Sequence, residues 1–262
     1  MNGLIAIVLA STVVTQAPDP VEQLLTTGIC TECNLSGVNF KGAKLREVDL
    51  FGSTLTGASF VEAQLLRSSL SSVKAQGVSF ERANLREAQL FSANFSQANF
   101  SGANLISALA PEANFQKANL RGAKLLVASL EKADLSQANL QNVEFGRARM
   151  KQVKMVNANA QEARFFEANL EGANLQGINL TKADMLSAKL PKVNLAGANL
   201  QGADLRGVDL RNANLQGANL QNTDLFDADL RGANLSQAKT NQRTNLGKAR
   251  FGNTIMPNGT KK

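Results

Sequence analysis

The chain has no histidine, no tryptophan and no tyrosine among its 262 residues. Without histidine it lacks the side chain that most often serves as general base, metal ligand or partner of a Ser or Cys nucleophile. Two cysteines are too few for a four-ligand zinc site. The longest stretch of low polarity, Leu4 to Val14, has 11 residues, and a bilayer-spanning helix needs about 20. Glycines fall singly, as at Gly197, Gly202 and Gly207, so the spacing of a phosphate-binding loop is missing. Carboxylates are scattered rather than paired. These gaps argue against an enzyme, a metal site, a bound cofactor and a small-molecule substrate.

What is present is a period. From Leu35 to Leu235 every fifth residue is Leu (27), Phe (8), Met (3) or Ala (Ala75, Ala110, Ala160), over 41 positions without a gap. Two residues before each central position stands a small or β-branched residue, 28 of them Ala and 8 Val; the residue between is usually Asn or Asp. Five fits neither the helix period of 3.6 nor the strand period of 2, so a longer unit must close on itself. The central phenylalanines give its length. Phe40, Phe60, Phe80 and Phe100 form one column, and Phe95 with Phe115 and Phe145 with Phe165 repeat the interval of 20 residues. Coils of a β-solenoid stack at about 4.7–4.9 Å, which predicts about ten coils in a rod on the order of 50 Å long. Asn and Asp suit its corners because their side chains hydrogen-bond nearby backbone. The three central alanines leave gaps or are offset by larger neighbours such as Val73, and the pattern does not choose.

The run Ala-(Asn/Asp)-(Leu/Phe)-X-X resembles that of the pentapeptide-repeat proteins, over residues of about 30 to 256. The resemblance implies a right-handed, four-sided β-helix with its central and minus-two side chains inside. It implies little about function, since one coil serves unrelated roles.

The leader differs in kind. Residues 1–17 are expected to be a signal peptide, with Thr15-Gln16-Ala17 at the cleavage site, although no basic residue precedes the apolar run; the alternative is a strand or helix packed on the rod's end. Residues 18–29 read as a capping helix segment. Asp19 stands as N-cap, Pro20 at the first turn and Glu22 in a capping box, with Val21, Leu24 and Leu25 on one apolar face and Gly28 as terminator. The solenoid is expected over 30–257, its register slipping by one after Ala238 and resuming at Leu246, Phe251 and Met256, and residues 258–262 read as a frayed tail.

Cys30 takes a central and Cys33 a minus-two position, so both should face the first coil's interior. A structural disulfide fits an exported protein; free buried thiols, or a redox or metal role, are the alternatives. Residues 24–37 are similar to the opening segment of exported cyanobacterial pentapeptide-repeat proteins. That implies the periplasm or thylakoid lumen, with the cytoplasm as the alternative location.

The surface carries two candidate sites. Sorting plus-one residues by face yields a column with Leu66, Ile106, Leu126, Phe166, Leu186 and Phe226, large apolar residues at a position the family exposes; the adjoining column holds Phe51 and Phe91. Such a stripe marks an interaction surface. Arg147, Arg149, Lys151, Lys154 and Arg164 instead form a basic coil that could meet an anionic partner, nucleic acid or membrane headgroups. Glu144 and Glu162 dilute it, and no base-reading or stacking motif accompanies it. The reading is thus an exported, non-enzymatic interaction or structural module whose partner is another protein or a second copy. Anion binding is the runner-up. DNA gyrase modulation comes last, because family members with that activity present an acidic surface and this chain carries a net charge of +7.

Overall fold

The computed structural model describes residues 19–262. Each pentad makes one side of a coil: the plus-one and plus-two residues turn the chain, and the minus-one residue forms a β-bridge. Parallel bridges join each minus-one residue to the one 20 positions on, from Ile29 with Asp49 to Asn219 with Lys239. Four turns per 20 residues make the coil four-sided. The backbone ladder is regular: the Leu65 N–H donates to the Asn84 carbonyl at 2.7 Å, and the Gln64 N–H donates to the Ala43 carbonyl at 2.9 Å.

The plus-two residue lies in the left-handed region, with φ of 52–61° even at non-glycine residues such as Ser92 and Gln97. That is why glycine recurs there. Polar side chains hold the corners as expected. The Asn99 side-chain oxygen accepts from the Ser101 N–H at 3.1 Å, and the amides of Asn159 and Asn179 bond along the rod at 2.9 Å.

Central and minus-two side chains fill the interior, and those of every coil from Cys30 to Leu235 pack into one continuous core. The phenylalanine columns stack, with centroids 5.0 Å apart for Phe40 and Phe60, 4.9 Å for Phe80 and Phe100, and 5.0 Å for Phe145 and Phe165. Phe95 also meets Phe100 edge-on at 5.2 Å. The central alanines Ala75, Ala110 and Ala160 are buried, and each shares its coil with a phenylalanine (Phe60; Phe100 and Phe115; Phe165). Where Ser53, Ser68 and Thr223 replace the small apolar minus-two residue, each buried hydroxyl donates to a carbonyl 23 residues earlier, at 2.6–2.8 Å.

The expected leader, residues 1–17, lies outside the described residues. Helix α1 spans Pro20–Thr27 and ends where Gly28, at φ 73°, donates its N–H to the Leu24 carbonyl. Its start departs from expectation. Asp19 occupies the N-cap position but makes no side-chain capping bond, so the capping box is not formed. Leu25 also departs, being 60% exposed while Leu24 is 1% exposed; an eight-residue helix lying on a narrow coil has room to bury one leucine. Cys30 and Cys33 form a disulfide, and Ser53 braces it by donating to the Cys30 carbonyl and accepting the Cys33 N–H at 2.9 Å.

At the other end the one-residue slip appears as bridges of 21 residues: Asp224 with Asn245, Asp229 with Arg250 and Asn234 with Ile255. Residues 258–262 do not fray. They fold back antiparallel, Ile255 bridging Lys261 and Thr254 exchanging both backbone bonds with Lys262, because the last coil otherwise leaves this strand edge unpaired.

Candidate interaction surface

The plus-one column runs straight along one corner of the rod. Leu66, Ile106, Leu126, Phe166 and Leu186 are half-buried by their neighbours above and below, and Phe226 is 37% exposed. The adjoining corner carries Phe51 and Phe91, at 46% and 38% exposure. The face between the two corners also carries Leu109, a minus-one residue that sorting by plus-one positions could not include.

The middle of the column has two features that no pattern of hydrophobicity announces. Gly146 stands in the column with an ordinary backbone; a Cβ there would come within 3.0 Å of Leu126 Cδ2. The glycine is therefore a notch over which Leu126 lies flat. On its far side, the Arg147 guanidinium sits 5.9 Å from the Phe166 ring centroid, within cation–π range. Beside Leu126, Val127 is 56% exposed and has φ 60°. Among the described residues it is the one β-branched side chain in the left-handed region, where such residues are genuine outliers.

The basic residues are arranged differently. Arg147, Arg149 and Lys151 lie along one face and its corners, whereas Arg164 and Lys154 lie on the two flanking faces. Four of the five are ion-paired: Arg147 with Glu167 at 2.7 Å, Arg149 with Glu131 at 3.2 Å, Lys151 with Glu171 at 2.8 Å and Arg164 with Glu144 at 3.7 Å. The hydrogen bond from Lys151 holds the Glu171 carboxyl below its ordinary range. The fifth, Lys154, bridges Asp134 through the backbone. Residues adjacent in sequence are thus turned to different sides and matched with carboxylates one coil away.

A second set of charges, unremarked in the sequence, recurs toward the C-terminal end. Arg206, Arg211 and Arg231 each fold back onto the aspartate two residues earlier, at 2.6, 2.8 and 2.6 Å. These hydrogen bonds outweigh burial and hold the Asp204, Asp209 and Asp229 carboxyls below the usual carboxylate range. The signal was the recurring Asp-Leu-Arg triplet. Among the described residues no three His, Cys, Asp or Glu side chains gather to hold a metal, and no helix is long and apolar enough to cross a membrane.

A search of curated proteins finds no match. Among solved structures, the chain is similar to HetL, a pentapeptide-repeat protein involved in heterocyst differentiation regulation in the cyanobacterium Nostoc, with 28% identity, 92% of this chain and 98% of that one covered, and a TM-score of 0.43. It is similar to QnrB1, a plasmid-mediated fluoroquinolone resistance protein, with 19% identity, coverage of 81% and 91%, and a TM-score of 0.52. A pentapeptide-repeat protein of the Arabidopsis thaliana thylakoid lumen matches at 30% identity, covering 46% of this chain and 71% of its own, with a TM-score of 0.17. Pentapeptide repeats, a motif of right-handed quadrilateral β-helices, match in eight copies between residues 33 and 239. With its unbroken five-residue period and its bridges at intervals of 20, the chain belongs to the pentapeptide-repeat family.

Proposed function

We propose that the protein is a non-enzymatic interaction module, exported to a periplasm or thylakoid lumen, that engages another protein through the corner lined by Leu66, Ile106, Leu126, Phe166, Leu186 and Phe226. Its scaffold is a stack of about ten coils capped by α1, a count that follows from the coil length and the strand spacing. The apolar leader and the disulfide support export, since such bridges persist in oxidising compartments. Repeat proteins of this architecture offer long, rigid, one-dimensional surfaces rather than pockets.

The observation that carries the reading is Val127. A β-branched residue at φ 60° costs on the order of 1–3 kcal/mol, and more than half of its surface faces solvent, so its own fold gains little from it. Backbone strain of this kind collects at functional sites. It stands beside the Leu126–Phe166 notch, in the middle of the apolar corner.

Affinity capture from the native host tests the assignment. Leu126→Ser, Phe166→Ser and Leu186→Ser together should abolish recovery of a specific partner while leaving the chain folded, each half-buried side chain contributing about 1 kcal/mol to stability. Val127→Gly should weaken capture while raising stability by about 1 kcal/mol, because glycine adopts positive φ freely. Neutralising Arg149, Lys151 and Lys154, which leaves Arg147 on the Phe166 ring, should do little at moderate salt. If neutralisation eliminates binding and affinity falls steeply with salt, the basic coil is the site; if the serine variants bind normally, the apolar corner is not.

A further inference from the structure

The net charge is unevenly placed. Asp229 is the last acidic residue, and seven basic residues follow it, from Arg231 to Lys262; the 21 bases before it balance all 21 acids. The final coil and the hairpin, residues 240–262, carry five bases and no acid, whereas the coil just beneath adds Arg231 and Lys239 together with Asp224, Asp227 and Asp229. The opposite end has the reverse sign. Asp19, Glu22 and Glu32 are the first charged residues, and the first base is Lys41.

The ends also differ in shape and in unused bonding capacity. At the C-terminal end Leu246, Phe251 and Met256 remain half-buried, and the backbone N–H groups of Leu246, Lys248, Phe251 and Asn253 find no acceptor among the described residues. This is an open strand edge, half-apolar, rich in hydrogen-bond donors and positive. The N-terminal end projects instead. Leu25 and Ile29 are 60% and 52% exposed, and the acidic Glu22 and Glu32 flank them in sequence.

We infer that the N-terminal end of one copy docks on the C-terminal end of a second, head to tail. Carboxylates meet cations and unused N–H donors, both of which form charge-assisted bonds, while Leu25 and Ile29 meet the half-covered apolar residues of the last coil. Pairing of two C-terminal ends would oppose like charges across the contact, which disfavours a symmetric dimer. A heterologous contact of this kind does not close on itself, so it propagates as a linear chain of rods. This assembly uses the ends and leaves the apolar corner free.

Sedimentation velocity of the full chain at about 0.05 M and about 0.5 M salt tests it, because such contacts are screened over a few ångströms at high ionic strength. At low salt the sedimentation coefficient should rise with concentration, and the association should weaken tenfold or more at high salt. A Glu22→Lys, Glu32→Lys variant and an Arg243→Glu, Lys248→Glu variant should each stay monomeric with an unchanged melting temperature. An equimolar mixture of the two should associate again, since every end then faces its opposite charge. The Leu126→Ser, Phe166→Ser, Leu186→Ser variant should associate as the parent does, which separates this contact from the lateral one. A parent chain that stays monomeric at low salt, a charge variant that still self-associates, or a mixture that does not recover would each overturn the inference.

Discussion

Where the N-terminal end packs Leu24 of α1 against the core and keeps Leu35, Phe40 and Leu45 at 4% exposure or less, the C-terminal end leaves the corresponding Leu246, Phe251 and Met256 half-buried. One end carries α1 and the Cys30–Cys33 disulfide. The other has a five-residue hairpin that pairs a single side of the last coil, with Lys262 Nζ lying 4.0 Å from the Phe251 ring centroid. Terminal repeats of a solenoid need covering because nothing stacks beyond them. The difference teaches that burying apolar side chains and satisfying the strand edge are separate problems: α1 adds Leu24 to the core, whereas the hairpin pairs the strand edge on one side only.

Substitutions in the two end coils should separate them most widely. Leu35→Ala, in the enclosed first coil, should cost about 2–5 kcal/mol by denaturant unfolding, the range for a fully buried leucine. Leu246→Ala should cost about 1 kcal/mol, because its side chain already meets water and leaves no sealed cavity. Equal losses would mean that the last coil is covered as well as the first. Reducing the Cys30–Cys33 bridge sharpens the same contrast. A short loop of this kind contributes about 2 kcal/mol through the unfolded chain's entropy, and amide exchange should accelerate around α1 and the first coil while the last coil is unaffected.

The smallest expected effect is electrostatic and belongs to the open end. Asp229 is nearly buried, hydrogen-bonded to Arg231 and within 4.0 Å of Arg211 and Arg250. Arg231 holds its carboxyl below the ordinary range. A depressed carboxyl adds stability above its unfolded value of about 3.9, and that stability is lost as pH falls through the lower folded value. Asp229→Asn should therefore cost about 1 kcal/mol at pH 7 and flatten the acid limb of the stability profile below about pH 4. An unchanged acid limb would show that the three arginines do not act on this carboxylate.

Much of this was legible in the chain. The stacked phenylalanines, the inward cysteines, the Asx-supported corners and the one-residue slip after Ala238 all follow from the period, because a repeat of fixed length places equivalent residues in equivalent environments. The misses fall where the repeat stops. Asp19 and Glu22 match a capping box by spacing, yet the helix start forms without those side-chain bonds; Leu25 shares a face with Leu24 on a helical wheel, yet the coil beneath is wide enough for one of them. Residues 258–262 have the composition of a loose tail and fold back because the neighbouring edge needs partners. In the candidate site, the apolar column was readable as a list of residues at intervals of 20. The Gly146 notch was not, because it depends on the direction Leu126 takes across the corner.

By itself the sequence determined the coil length, the identity of the core and the segregation of charge to the two ends, since each depends on position modulo 20 or on order along the chain. Only the tertiary structure decided which charges meet. The five bases between Arg147 and Arg164 are near one another in sequence, but the coil turns a corner every five residues and pairs four of them with carboxylates about 20 positions away. Neighbourhood on a solenoid surface runs along the stack as much as along the chain, and so a basic segment became mostly ion pairs while dispersed apolar residues came to share one corner with Arg86, Gly146 and Arg206.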